Sequence, residues 1–207
     1  MQVLNNVLPN SPEWLALRRV KIGASDCAAI VGENPYCSPH KVWRQKIFGE
    51  EEFINGDMQR GVRLEEKARE WVSKTHGIEY KPVCVESEKR PWQIATMDCF
   101  YQDGEFIFAG EIKSPREKKF ESIKKKGIPD YWMWQVQHQL SVLNLQRMFF
   151  LLYTESDQHL IWVHRNEEMI SKLNSLEEVF YFEYLSRFVP PPYTREEKQY
   201  IENLTAI

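Results

Sequence analysis

The sequence predicts an α/β domain with a central mixed β-sheet flanked by helices. Three observations carry this expectation. Capped segments with helical periodicity open the chain and return after its middle. Three short runs rich in β-branched and aromatic residues lie between Ile78 and Lys113, the last two joined by the hairpin signal Asp103-Gly104. A further pair of such runs sits between two helical segments. One sheet with covering helices accommodates that order. At 207 residues the chain suits one compact domain, read as 1–192, followed by a charged, helical tail at 193–207.

Each element has a local reason. A helix is expected over Ser11 to Arg19, where Ser11 can cap and Pro12 fits the first turn. A short helix follows from Ser25, then a turn at Gly32 to Tyr36, and Ser38-Pro39 opens a helix to about Phe48. Asp57 to Thr75 reads as a longer helix whose apolar face holds Met58, Val62, Ala68, Trp71 and Val72, with Glu65 inside that face. A carboxylate on an apolar stripe is costly unless it is paired or binds a metal. Strands are expected at Ile78 to Glu86, Gln93 to Tyr101 and Phe106 to Lys113. After a basic loop bounded by prolines come a helix from Asp130 to Leu143, strands at Met148 to Thr154 and Leu160 to His164, and a long helix over Glu167 to Arg187. Pro190-Pro191-Pro192 breaks the chain before the tail.

Composition narrows the functional classes. A hydrophobic fraction of 43% supplies a core and excludes a disordered chain. No apolar run approaches the ~20 residues that cross a bilayer. The opening MQVLNNVLPNSPEW lacks the basic start and apolar stretch of a signal peptide, so a cytosolic protein with no membrane partner is expected. Cys27, Cys37, Cys84 and Cys99 form no C-x-x-C pair and have no histidine at zinc-finger spacing, which leaves buried thiols as the reading. A net charge of −3 does not announce a nucleic-acid binder, but its distribution is uneven. Lys113, Arg116, Lys118, Lys119, Lys124, Lys125 and Lys126 lie close together against only Glu117 and Glu121, and Arg18, Arg19 and Lys21 form a second group. Such a surface attracts a polyanion, or is simply a solvated charged loop.

Three features then converge. Ile107, Ala109, Glu111 and Lys113 share one face of their strand because side chains alternate with period two. Asp98 lies on the preceding strand, where a hairpin brings it beside Glu111. Glu65 waits on its helix. Carboxylates grouped with one lysine suit magnesium, a hard cation that takes oxygen ligands, and hence phosphodiester hydrolysis. The lysine can orient or deprotonate the attacking water, or stabilise developing charge. A surface strand with cross-strand charge pairs is the competing reading of the same residues.

Beyond this point the residues resemble a family. WLALRRVKIGASDCAAIVGENPYCSP at Trp14 to Pro39, GVRLEEKA at Gly61 to Ala68, ATMDCF at Ala95 to Phe100, GEIKSP at Gly110 to Pro115 and YWMWQVQHQL at Tyr131 to Leu140 are similar, in this order, to the lambda exonuclease and YqaJ-like viral recombinase group of the PD-(D/E)xK nuclease superfamily. The resemblance implies a PD-(D/E)xK, restriction-endonuclease-like core. It implies a 5′→3′ exonuclease on linear double-stranded DNA with 5′-phosphorylated ends, releasing mononucleotides and leaving 3′ overhangs for single-strand-annealing recombination. It implies two magnesium ions, with manganese able to substitute, held by Asp98, Glu111, the Ile112 carbonyl and Glu65. Lys113 would serve the attacking water, and Gln135 would contact the site. Arg18 and Ser25, seven residues apart, match the pair that grips the terminal 5′-phosphate. Arg19 is adjacent and could serve instead, although the spacing from Trp14 and to Ser25 favours Arg18. Lys124, Lys125 and Lys126 would track the DNA backbone. The resemblance further implies a ring-shaped homotrimer, a single-strand annealing partner, and a phage or prophage source acting in a bacterial cytoplasm. One departure concerns the aspartate: the family commonly has Pro-Asp-Gly where this chain has Met97-Asp98-Cys99, which leaves the turn geometry open. Two rival functions share the core: a structure-specific or restriction-like endonuclease, and a non-catalytic DNA-binding module.

Overall fold

The computed structural model describes residues 1–50 and 56–199, and the structural statements below concern those residues. In chain order the first half comprises β1 (Gln2–Val3), α1 (Pro12–Val20), β2 (Ile22–Gly23), a 3-10 turn (Ala24–Asp26), α2 (Cys27–Ile30), α3 (Pro39–Phe48) and α4 (Gly56–His76). Then follow β3 (Lys81–Glu86), β4 (Gln93–Asp103), β5 (Phe106–Lys113), α5 (Glu117–Lys126), α6 (Asp130–Leu143), β6 (Arg147–Tyr153), β7 (Gln158–His164) and α7 (Glu167–Val179). The strands form one seven-stranded sheet in the order β1-β3-β4-β5-β6-β7, with β2 pairing with β4. It is mixed: β5 runs parallel to β6 and β2 parallel to β4, while the other neighbours are antiparallel. The parallel β5–β6 step requires a crossover, which α5 and α6 supply.

Each face of the sheet is covered by helix. On one side Val136 and Leu140 of α6 and Phe120 and Ile123 of α5 pack against Ala95, Met97, Ala109, Phe150 and Leu152. On the other, Leu64, Ala68 and Val72 of α4 pack against Cys99, Ile112, Phe149 and Leu151. Gly110 is required for this second layer. A Cβ there would lie 2.0 Å from the Phe149 ring of the neighbouring strand, so only glycine lets that ring cross β5. The predicted helix caps form: Ser11 Oγ accepts from Trp14 N at 3.2 Å, and Ser38 Oγ accepts from Lys41 N at 3.1 Å.

Four details differ from expectation. Most of the basic segment read as a loop is α5, because Phe120 and Ile123 bury one stripe and the lysines at its C-terminal end complement the helix dipole. The stripe of α4 is Leu64, Ala68 and Val72 at i, i+4 spacing, whereas Val62 is 71% exposed. Glu65 therefore flanks the apolar stripe and does not interrupt it. The third difference is that α7 ends at Val179 and continues as a π-helical turn, Phe180–Leu185. Finally, two-residue strands such as β1 and β2 are too short for a periodic signal. The polyproline segment docks back on α3, where His40 Nδ1 meets the Pro191 carbonyl at 3.0 Å and the His40 ring stacks on Tyr193. Residues 195–199 are helical, and the rest of the tail, 200–207, lies outside the described residues.

Candidate active site

The β3–β4 ladder contains an irregularity where the chemistry gathers. Val83 pairs with Met97 but Lys81 pairs with Phe100, so β4 carries one residue more than its partner across Asp98 and Cys99. Pro82 faces this step, and proline has no N–H to offer the ladder. Ala95, Met97 and Phe100 all reach the layer beneath α6, which shows the alternation of β4 shifting by one in between. A bulge of this kind re-aims a side chain at a sheet rim. On the other side of β4, pairing with β5 reaches Cys99–Gly110, and one further step in that register sets Asp98 opposite Glu111. Asp98 Oδ2 accepts from Ile112 N at 2.8 Å, which fixes the carboxylate across the strands.

Glu111 is 3% exposed and held from several directions. Its Oε1 accepts from Lys113 Nζ and Gln135 Nε2, both at 2.6 Å, and its Oε2 accepts from Gln139 Nε2 at 2.5 Å. Gln135 and Gln139 are four residues apart on α6, so one helix face presents both amides to the one carboxylate. From α4, Arg69 joins the third carboxylate to the strand, donating to Glu65 Oε1 at 3.1 Å and to the Asp98 carbonyl at 2.7 Å. Burial, with Glu111 and Glu65 nearby, pushes the Asp98 carboxyl well above its ordinary range. Burial pulls the Lys113 ammonium down, but Glu111 and Asp98 outweigh it and carry its pKa above the usual lysine value.

These groups line one open cleft of about 1030 Å3. Its walls include Glu65, Asp98, Glu111, Ile112, Lys113 and Gln135, and also Arg18 and Ser25. Arg18 Nη2 donates to Ser25 Oγ at 2.8 Å, so the two residues paired by the family resemblance meet in space. Arg19 points elsewhere, towards the Lys46 and Ile47 carbonyls at the end of α3. Lys124 pairs with Asp157 at 2.7 Å, and neither it nor Lys125 or Lys126 is part of the cleft wall. The lysines of that run that do line the cleft are Lys118 and Lys119, with Lys119 Nζ 4.4 Å from the centroid of Trp132. Sequence reasoning missed Arg69 and Gln139, and named Lys118 and Lys119 only as members of the basic group. The i, i+4 spacings Glu65–Arg69 and Gln135–Gln139 were the available signals.

A second titratable cluster lies in the interior. Cys27, His138 and Glu177 are close enough to hold a metal ion. Protein groups already satisfy them: Glu177 Oε1 accepts from Cys27 Sγ at 3.0 Å and from His138 Nδ1 at 2.8 Å, and Oε2 accepts from Gln93 at 2.5 Å. His138 Nε2 meets the Ile94 carbonyl at 3.0 Å. Both ring nitrogens therefore face acceptors, the pattern of an imidazolium. Burial opposes that charge, but Glu177 outweighs it and holds the His138 pKa above the ordinary histidine value.

Comparison with known proteins decides the family. Residues 13–146 match the YqaJ-like viral recombinase domain, well over half of the chain. The chain belongs to the YqaJ-like viral recombinase family. That match covers α1 through α6 and thus every residue of the cleft named above. The fold is shared with an alkaline exonuclease from Laribacter hongkongensis, at 22% identity and a TM-score of 0.69 over 95% of this chain and 98% of that one. The same exonuclease in complex with dAMP gives a TM-score of 0.70 at the same identity and coverage. A phage-related exonuclease from Haemophilus somnus 129PT aligns at 17% identity and a TM-score of 0.51, over 81% of this chain and 96% of that one. Comparison with curated proteins gives no match. No helix among the described residues is long and apolar enough to cross a membrane.

Proposed function

We propose that this chain is a magnesium-dependent 5′→3′ exonuclease that digests linear duplex DNA from 5′-phosphorylated ends. The observation that carries the reading is the presence of two devices in one cleft. The Asp98–Glu111–Lys113 group, with Glu65, is suited to phosphodiester chemistry, and the Arg18–Ser25 pair is suited to a terminal phosphate. A guanidinium offers a fork to phosphate oxygens, and the hydroxyl adds a further hydrogen bond. An end-gripping pocket beside a cleaving site is what an exonuclease needs and an endonuclease does not.

The donors fit a hard dication. Asp98, Glu111 and Glu65 offer carboxylate oxygens, with the Ile112 carbonyl adjacent, and burial together with their crowding raises the Asp98 pKa. A magnesium ion held there supplies neutralisation of phosphoryl charge and activation of water. This chain's own residues do the rest. Gln135 and Gln139 hold the Glu111 carboxylate in one orientation. Lys113 stands beside it as a donor to an attacking water or to a phosphoryl oxygen. Lys118 and Lys119 provide backbone contacts that carry no sequence information, as processive digestion requires. The dAMP held by the Laribacter relative is a mononucleotide, consistent with this product class. A ring-shaped homotrimer, a single-strand annealing partner and a role in recombination belong to the same proposal and rest on the family.

The test is digestion of a linear duplex with 5′-phosphate or 5′-hydroxyl ends, with and without magnesium, beside a covalently closed circle. Metal-dependent loss of the phosphorylated linear duplex with the circle intact is expected. Cutting of the circle would establish an endonuclease, and no cleavage of any substrate would leave a DNA-binding module.

A further inference from the structure

Beneath the Arg18–Ser25 pair lies a buried ion pair that neither the phosphate pocket nor the cleavage site uses directly. Asp26 and Lys46 are each 7% exposed, and ionic residues are seldom so buried unless paired. Lys46 Nζ donates to Asp26 Oδ2 at 2.6 Å and to the carbonyls of Arg18 and Lys21, both at 2.8 Å. All three ammonium hydrogens are thereby spent on the end of α1 and on Asp26. Asp26 Oδ2 also accepts from Gly23 N at 2.8 Å, and Oδ1 faces Arg18 Nη2 at 3.4 Å.

The consequence falls on Arg18. One nitrogen, Nη2, divides its hydrogens between Ser25 Oγ and Asp26 Oδ1. Among the described residues Nη1 and Nε donate to no protein acceptor, and the side chain lines the cleft. An arginine side chain is otherwise a long flexible arm with several rotatable bonds. Anchored at one nitrogen by a buried carboxylate, it presents the other two to an incoming anion. Burial would raise the Asp26 pKa, but Lys46 and Arg18 overcome that and hold the carboxyl below its ordinary value, so the anchor stays charged. Lys46 fixes the backbone carbonyl of Arg18 itself, so both ends of the arginine are tied to the same pair.

We propose that Asp26, clamped by Lys46, is the positioning residue of the terminal-phosphate pocket, holding the Arg18 guanidinium against Ser25 so that preference for 5′-phosphorylated ends depends on a buried pair outside the pocket. This rests on the exonuclease reading above. The experiment measures initial digestion rates on 5′-phosphorylated and 5′-hydroxyl linear duplexes for the parent, Arg18→Ala, Asp26→Asn, and Asp26→Asn combined with Arg18→Ala. Asp26→Asn is expected to lower the phosphate-to-hydroxyl rate ratio by about tenfold or more, as loss of a charged hydrogen-bonding partner does. Adding Arg18→Ala to Asp26→Asn should lower it little further, because the arginine is already misplaced. A merely structural role would slow both substrates equally and leave the ratio unchanged, which overturns the proposal, as would additive losses in the combined variant. Asp26→Asn leaves Lys46 buried without its counter-ion. Asp26→Asn with Lys46→Met removes both charges and must show the same fall in ratio if the single variant does not fold. A parent without any preference for phosphorylated ends would overturn the 5′-phosphate dependence in the proposed function, a different result from a preference that survives the substitutions.

Discussion

The two clusters of ionisable groups that meet α6 are balanced differently. In the interior, His138 faces Glu177, both nitrogens and both oxygens are matched by protein partners, and the cluster is closed. In the cleft, Gln135 and Gln139 of the same helix reach Glu111, yet Asp98, Glu111 and Glu65 gather around Lys113 and Arg69 with negative charge in excess. The contrast shows in the pKa directions. His138 is shifted towards its charged form by its partner, whereas the Asp98 carboxyl is pushed towards its neutral form by burial and by its neighbours. A closed cluster serves stability, and an unbalanced one carries a cost in the free protein that a ligand can relieve.

Three substitutions break or sharpen this comparison. The largest effect is expected for Lys113→Ala in the open cluster: hydrolysis should fall by roughly 10²- to 10⁴-fold. Binding of the duplex, read by fluorescence anisotropy, should persist, and unchanged hydrolysis would remove Lys113 from the site. Next comes Glu177→Ala in the closed cluster, which strands His138, Cys27 and Gln93 without their shared acceptor. Breaking a buried pair in this way costs about 3–5 kcal/mol, a fall in Tm on the order of 10 °C for a chain of this size. A thermal melt within a degree or two of the parent would show that the interior pair carries no net stability.

The smallest effect has the opposite sign. Asp98→Asn should raise the Tm of the protein in EDTA by a few degrees, since it removes a carboxylate that folding forces towards protonation. Because the folded pKa of Asp98 is raised, the penalty is absent below its ordinary value of 3.8, grows as pH rises from there, and is complete above the folded value. The gain should therefore appear at neutral pH and vanish in acid. A lowered Tm at neutral pH would mean that the cleft is not under electrostatic strain.

Much of the architecture was legible from local patterns. Ser11 and Ser38 announced their helices because capping is a contact within a few residues. The Asp103-Gly104 turn located the β4–β5 hairpin and with it the adjacency of Asp98 and Glu111. The basic segment was misread because Phe120 and Ile123 form only a two-residue apolar signal, and their burial depends on β-strands far away in sequence. The lysines of that segment singled out for the DNA backbone were Lys124, Lys125 and Lys126. Lys125 and Lys126 lie seven residues after Lys118 and Lys119 on the same face of α5, and what separates them is distance along the helix, because the cleft is reached by its N-terminal part.

What the sequence determined by itself was the α/β class, most of its elements, and the carboxylate–lysine pattern of strand and helix, because periodicity, capping and turn chemistry act over a few residues. The tertiary structure alone decided three things. It placed the bulge that turns Asp98 into the cleft, because a bulge is defined by the partner strand. It drew Arg19 away from the cleft, because carbonyls at the end of α3 claim its guanidinium. It put Asp26 and Lys46 beneath the Arg18–Ser25 pair, because a charge twenty residues away is recognised as a partner only when burial removes the water that would otherwise screen it.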